Sequence, residues 1–344
     1  MPGHNIIAVG GSAGALDALR DVVAALPADL PAALFVTTHL TPYAPSYLPE
    51  ILSRAGPLPV RHPEDREPFR AGTIYLAPPD HHLLVGPDAV RVIRGPRENN
   101  ARPAIDPMLR TAAVSHGPRV IGVVLTGLLD DGTVGLAAVK ARGGVTVVQD
   151  PKDAAYPDMP ASAMEHVAVD HCLPLAAIGP TLNRLARQPA AEPDGGTVPN
   201  ALQWEAAVAE WDLERLQSPD RPGRPSAFTC PDCKGDLWEI DEGGPIRFRC
   251  RTGHAWSPLN LTAGQADAVD AALNEAFRAL LEQQHLEGRL SERAEKTGTV
   301  KGAAYHRRLA RDAEQSAAVI LGLLTRLRSA GPNDVPAAAR PEGE

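Results

Sequence analysis

The chain has 344 residues, enough for two domains and a small third at about 150 residues each. Hydrophobic residues make up 44% and aromatics only 4%, which implies a sizeable, mainly aliphatic core and excludes a wholly disordered chain. The formal charge of -8 argues against a chain built to neutralise phosphates, and no apolar run approaches the roughly 18 residues of a membrane span. The N-terminus lacks the charged flank and long apolar run of a signal peptide, so a cytoplasmic protein without membrane insertion is expected.

From residue 5 to about 188, short β-branched runs alternate with segments of helical period, the pattern of an α/β domain with a parallel sheet. Strands are expected over 5–9, 33–38, 73–77, 119–125 and 145–148, and helices over 15–26, 107–116, 133–142 and 160–167. Residues 83–85 and 89–93 flank Gly86-Pro87-Asp88 and read as a hairpin inserted in that pattern. The aperiodic, Pro- and Gly-bearing stretch 188–199 reads as a linker, and Trp204, Val208, Trp211 and Arg215 recur at helical spacing over 202–216. Further on, Val269, Leu273, Phe277 and Leu280, then Tyr305, Leu309, Ala313, Ile320, Leu324 and Leu327, form two apolar stripes. Antiparallel helices joined near Gly298 would bury them together. The expected organisation is an α/β domain over 1–187, a linker with one helix over 188–225, a small ribbon over 226–258, a helical hairpin over 259–330 and a flexible tail over 331–344.

Gly10-Gly11-Ser12-Ala13-Gly14 fits G-x-S-x-G between a predicted strand and a predicted helix, where a sharp turn exposes a serine hydroxyl. Two other readings share this segment. A dinucleotide turn ending at Gly14 would want glycine where Val9 stands, and a serine here could simply cap the helix. A nucleophilic serine needs a base, and the base needs an orienting group; in a doubly wound sheet both gather at the carboxyl ends of strands. His39 directly follows the strand over 33–38. The strand over 119–125 runs into Thr126-Gly127-Leu128-Leu129-Asp130-Asp131-Gly132, where one aspartate could support the imidazole and the other cap the next helix.

Over residues 5–185 the sequence resembles the CheB-type protein-glutamate methylesterase domain of bacterial chemotaxis. The likeness is carried by Ile7 to Gly14, Thr38-His39-Leu40, Gly72 to Pro78, Arg102 to Asp106, Leu125-Thr126-Gly127 with Asp131-Gly132, and Met159-Pro160. It implies a three-layer α/β/α doubly wound, mostly parallel sheet in which Ser12 corresponds to the nucleophile, His39 to the base and Asp131, directly before glycine, to the acid. The implied reaction is hydrolysis of glutamate methyl esters, with glutamine deamidation as a companion activity, on a methylated chemoreceptor or another methylated protein. The ester chemistry requires no cofactor. The resemblance also places an oxyanion donor at the backbone N–H of Leu128, where the family usually has methionine. The glycine that follows in the family is Leu129 here, so a catalytically weak scaffold is one rival reading. Chemotaxis members of the family carry an N-terminal receiver domain; this chain starts at the first catalytic strand, so gating is expected from the C-terminal side, with protein docking through that region.

Cys230-Pro-Asp-Cys233, sixteen intervening residues and Cys250-Arg-Thr-Gly-His254 read C-x2-C-x16-C-x3-H, two short ligand pairs able to supply a tetrahedral Cys3His site. Four protein ligands close the coordination shell, so structural zinc in a small zinc ribbon is expected, and loss of the metal should leave the α/β domain folded beyond its linker. Arg247, Arg249 and Arg251 alternate along a predicted strand. As a basic face they would support a second rival, a zinc-ribbon nucleic-acid-binding regulator; as a solvated face they would not, and nucleic acid is the weaker expectation.

Overall fold

The computed structural model describes residues 3–43, 45–192, 198–241 and 244–329. The chain divides into two compact units, Met1–Thr262 and Ala263–Glu344. In the first half of the larger unit, β1 (Ile6–Gly11), α1 (Ala15–Ala24), β2 (Ala33–Thr38), α2 (Leu48–Ala55), β3 (Val60–Arg61) and β4 (Ile74–Leu76) precede an antiparallel pair, β5 (His82–Val85) and β6 (Val90–Ile93). There follow α3 (Ile105–His116), β7 (Val120–Val124), α4 (Thr133–Ala141), β8 (Val145–Gln149), α5 (Asp158–His166), β9 (His171–Leu173) and α6 (Leu175–Ala186). Seven strands form one sheet in the order β3-β4-β2-β1-β7-β8-β9, every pair parallel.

Alternation along the strands sorts the core into two layers. Ile6 and Ala8 of β1, Phe35 of β2 and Val124 of β7 pack under α3, α4 and α5 with Met108, Leu109, Leu136 and Met159. Ile7, Val9, Leu34, Val36 and Val123 face the other way, against Leu19 and Val22 of α1, Leu52 of α2 and Ile178 and Leu182 of α6. A sheet covered on both faces explains why its central strands read as unbroken apolar runs. Because β2 lies on one side of β1 and β7 on the other, the chain reverses its winding at β1, and a crevice opens at the carboxyl ends of these three strands.

The predicted strands and helices of this half and the β5–β6 hairpin are present, and β3, β9, α2 and α6 are added. Both extra strands are edges of two and three residues, too short to show a period, and α6 carries Pro180 inside it, which interrupts a helical signature. The helix expected over 202–216 is two, α7 (Asn200–Ala209) and α8 (Leu213–Gln217). Trp211 breaks it at φ 61, and the Asp212 carboxylate caps α8 by accepting from Glu214 and Arg215 N–H at 3.0 and 3.2 Å. Residues 193–197 of the expected linker and 331–344 of the expected tail lie outside the described residues.

Beyond α8, β10 (Arg224–Thr229), β11 (Asp236–Ile240), β12 (Arg247–Cys250) and β13 (Ala255–Trp256) form an antiparallel sheet in that order. It is not tethered to the α/β layers by the linker alone. Arg249, 2% exposed, donates to Glu98 at 2.9 Å and to Glu205 at 3.2 Å, and Glu98 in turn receives Arg110 of α3 at 2.7 Å. Arg247 pairs with the other Glu205 oxygen. The solvated basic face expected from the arginine alternation is therefore corrected: two of its members are spent in a buried ion network, and Arg251 lies over the Trp238 ring at 5.5 Å.

The smaller unit contains most of α9 (Pro258–Lys296) and all of α10 (Val300–Ser329), with Gly298 between them at φ 72. The helices pair through Ser291 Oγ, which donates to the Ala303 carbonyl at 3.0 Å, and through His306 and Glu287 at 2.7 Å. Ala313 and Leu324 of the expected stripes are buried, whereas Val269 is 51% exposed.

The ion network makes an acid-stability prediction. Burial disfavours the Glu205 carboxylate, yet Arg247, Arg110 and Arg249 bring it down to about 2 from an ordinary 4.5. A depressed folded-state value gives stability that is fully present above pH 4.5 and is lost as the pH falls through about 2. Glu205→Gln is expected to cost about 3–5 kcal/mol at neutral pH by leaving buried arginines short of a counter-charge. In thermal melts the gap between parent and variant should shrink steadily below pH 4.5.

Candidate active site

Ser12 follows β1 in a turn that only small residues fit. Its N–H donates to the Thr126 carbonyl at 2.9 Å, Gly14 takes φ 74 before α1, and a Cβ on Gly127 would stand 2.0 Å from Met159 Sδ and 3.0 Å from Ser12 Cβ. Thr126 Oγ1 accepts from Tyr156 N–H at 2.8 Å and donates to the Ala13 carbonyl at 3.0 Å, tying the loops after β1, β7 and β8 into one rim.

The structure brings Ser12, His39 and Asp131 together. Ser12 Oγ lies 2.9 Å from His39 Nδ1, and His39 Nε2 lies 2.8 Å from Asp131 Oδ2. A carboxylate can only accept, so Nε2 carries the proton and Nδ1 presents its lone pair to the serine hydroxyl. The imidazole thus uses its two nitrogens in the opposite sense to the trypsin-like arrangement.

Asp131 is 1% exposed and saturated with donors. Its Oδ2 accepts from His39 and from Ile105 N–H at 2.7 Å; its Oδ1 accepts from Asn99 Nδ2 at 2.9 Å and from Asp106 N–H at 3.3 Å. Ile105 and Asp106 open α3, so the positive end of a helix faces the carboxylate. Burial works against the Asp131 charge, but the donors from His39, Ile105 and Asn99 hold it below the usual carboxylate range. Burial and then the Asp131 charge push Asp106 well above that range, so of this adjacent pair Asp131 carries the charge.

His82 fixes the approach to α3. Its Nε2 donates to the Pro96 carbonyl at 2.8 Å and its Nδ1 accepts from Ala104 N–H at 3.2 Å, while complete burial lowers its affinity for a second proton.

Asp130 does not cap α4 with its side chain; its carboxylate accepts from Ser257 and Asn260 beyond the antiparallel sheet. Leu128 is 50% exposed on the rim, and Leu129 takes φ 61, so the chain follows a path that suits glycine at a cost of about 1–2 kcal/mol. Asn99, Ser257 and Asn260 are site neighbours that sequence reasoning missed. Only the polar run Glu98-Asn99-Asn100 beside Arg102-Pro103 could have drawn attention to the first of them.

A CheB methylesterase family model matches residues 7–182, with Ser12, His39 and Asp131 inside the matched span. The chain belongs to the CheB methylesterase family. Among its relatives, a Leptospira interrogans protein is 34% identical over 183 residues, 53% of this chain and 95% of its own length. The Maricaulis maris protein-glutamate methylesterase/protein-glutamine glutaminase is 35% identical over 186 residues, 53% of this chain, and the chain spans 46% of that relative's length. The crystal structure of the Thermotoga maritima CheB methylesterase catalytic domain superposes with a TM-score of 0.52 at 32% identity, covering 54% of this chain and 100% of that one.

In the antiparallel sheet, the ligand atoms of Cys230, Cys233, Cys250 and His254 lie within 4.8 Å of one another, a group that could hold a metal ion. Cys233 Sγ and Cys250 Sγ are 3.6 Å apart, and His254 Nδ1 lies 3.8 Å from Cys230 Sγ and 3.5 Å from Cys250 Sγ. These spacings match the edge of about 3.8 Å of a tetrahedron whose metal–sulfur bonds are about 2.3 Å. Among the described residues no helix is long and apolar enough to cross a membrane.

The closeness of β1 to α3 can be tested. A Cβ on Gly10 would stand 2.1 Å from Ile105 Cγ2, on the residue whose N–H holds Asp131. Gly10→Ala is expected to cost about 1–3 kcal/mol in denaturant titrations by forcing α3 outward, with a larger effect on turnover than equal destabilisation elsewhere in the sheet.

Proposed function

We propose that the chain is a serine esterase that hydrolyses glutamate methyl esters on a methylated chemoreceptor-like protein, and deamidates glutamines by the same route. The observation that carries this reading is the unbroken relay from Ser12 Oγ to His39 Nδ1 at 2.9 Å and from His39 Nε2 to Asp131 at 2.8 Å. Ser12 attacks the ester carbonyl while His39 Nδ1 takes its proton; the imidazolium then protonates the departing methoxide, giving methanol and an acyl-enzyme. Water attacks that ester with His39 again as base, and the protonated imidazole returns its proton to Ser12, leaving glutamate. Asp131, held as an anion, keeps His39 in the one tautomer that can accept at Nδ1. The resemblance assigns the oxyanion donor to Leu128 N–H, and the neighbouring N–H groups of Ser12 and Gly127 are committed to the Thr126 and Tyr156 carbonyls.

Ser12→Ala is expected to abolish turnover and labelling by a serine-reactive probe without altering the melting temperature. Asp131→Asn should lower kcat by about 10⁴-fold, and combining the two should cost no more than Ser12→Ala alone. Wild-type turnover by Ser12→Ala on a methylated receptor overturns the reading, as does a loss seen with Asp130→Asn but absent with Asp131→Asn.

Cys230, Cys233, Cys250 and His254 are assigned to a structural zinc ion that closes a zinc ribbon, since their spacing fits a tetrahedron and they fill all four positions. Zinc there would cross-link the turn after β10 to the turn after β12. Elemental analysis should find one zinc per chain, and Cys250→Ser should lose it together with the hydrogen-exchange protection of β11 and β12. A metal-free protein with four freely titrating thiols would refute the assignment.

A further inference from the structure

We infer that Ser257 and Asn260 are positioning residues for Asp131, so that turnover at Ser12 depends on the segment 255–260 being docked. This rests on the esterase reading above.

Two routes connect that segment to Asp131. The first is Asn99, at φ 51, which lies between them. Its N–H donates to the Ala255 carbonyl at 2.8 Å, and its Oδ1 accepts from Ser257 N–H at 2.9 Å. The first bond anchors the Asn99 backbone; the second fixes which way round the amide stands, so that Nδ2 is the end facing Asp131 Oδ1 at 2.9 Å and Asp106 Oδ2 at 3.0 Å. Turned over, the same amide would aim an oxygen at two carboxyl groups.

The second route is Asp130. Its Oδ1 accepts from Ser257 Oγ at 2.6 Å and from Asn260 Nδ2 at 2.5 Å, and Ser257 Oγ accepts from Asn260 N–H at 3.1 Å, which directs the serine proton at Asp130. Carboxylates on consecutive buried residues repel strongly in a low dielectric. Burial and the Asp131 charge both raise Asp130, and the two donors oppose them. Deprived of those donors, the Asp130 carboxyl would be free to swing, and the backbone that carries Asp131 would move with it. Ser257, Asn260, Asn99 and Asp130 are all at most 7% exposed, so water does not substitute for a lost partner.

The test uses the full chain, with steady-state hydrolysis of p-nitrophenyl acetate, labelling of Ser12 by a fluorophosphonate, and circular dichroism melts. Ser257→Ala and Asn260→Ala should each lower kcat about ten- to a hundredfold with KM changed less than about twofold. Ser257→Thr, which keeps the hydroxyl, should recover most of the loss. On an Asp131→Asn background neither alanine variant should reduce kcat further, because their effect runs through the group already removed. Should Ser257→Ala fail to fold, Asn260→Ala carries the same cycle. A parent labelled at Ser12 whose variants keep kcat within about twofold, or lose rate additively with Asp131→Asn, overturns this inference alone. A parent that neither labels nor hydrolyses overturns the esterase reading and this inference with it.

Discussion

A carboxylate with 1% exposure must be given donors on every side, and the arrangement around Asp131 follows from that demand. Four groups answer it: one imidazole, one amide and two backbone N–H groups at the opening of α3. Satisfying the anion fixes where α3 begins relative to β7, and it fixes the ring of His39. The packing obeys the same geometry. Gly10 lacks a side chain because Ile105, whose N–H serves the anion, occupies the space a Cβ would need. The sheet supplies rough positions at three strand ends, and the buried charge sets the final fractions of an ångström.

The antiparallel sheet takes part in this bookkeeping of donors and acceptors. Glu98, one residue before Asn99, is clamped by Arg110 from α3 and Arg249 from β12. Arg249 is therefore one of the members of the distal sheet that join it to the wall of the candidate site, alongside Ala255 of β13. Replacing such a network with apolar residues can be neutral or better for stability, so what its geometry supplies is one register of β12 and β13 against the 97–101 turn.

The sequence made Ser12 and His39 legible because each directly follows a strand, β1 and β2, where a local rule applies; Asp131 lies further on in the loop between β7 and α4, where position alone did not separate it from Asp130 and the family resemblance did. The Cys230 to His254 cluster was legible for a similar reason, since ligand spacing is a short-range property. Asn99, Ser257 and Asn260 were not. Their partners lie up to 158 residues away, and polar residues that meet across such distances carry no period. Arg249 shows the limit most clearly. Alternation along β12 correctly placed it on the opposite face from Phe248, but whether that face met water or Glu98 depended on a fold that alternation cannot see. Leu129 is the reverse case, because a non-glycine residue at φ 61 keeps the loop on its path and only local energy is lost.

The Glu98–Arg110–Arg249–Glu205 network also bears on how such a protein can change over generations. A proline- and glycine-bearing stretch such as 188–199 looks like a natural crossover for recombination, where one catalytic half could be exchanged against the distal half of a cousin. An incoming partner without an arginine in register with Arg249 would leave Glu98 half-neutralised, and one without Glu205 would crowd guanidinium groups together. Single substitutions meet the same barrier, because each strands a charge away from water. The four positions form one heritable unit spread across two folds, and lineages of this architecture should change them together or leave them alone.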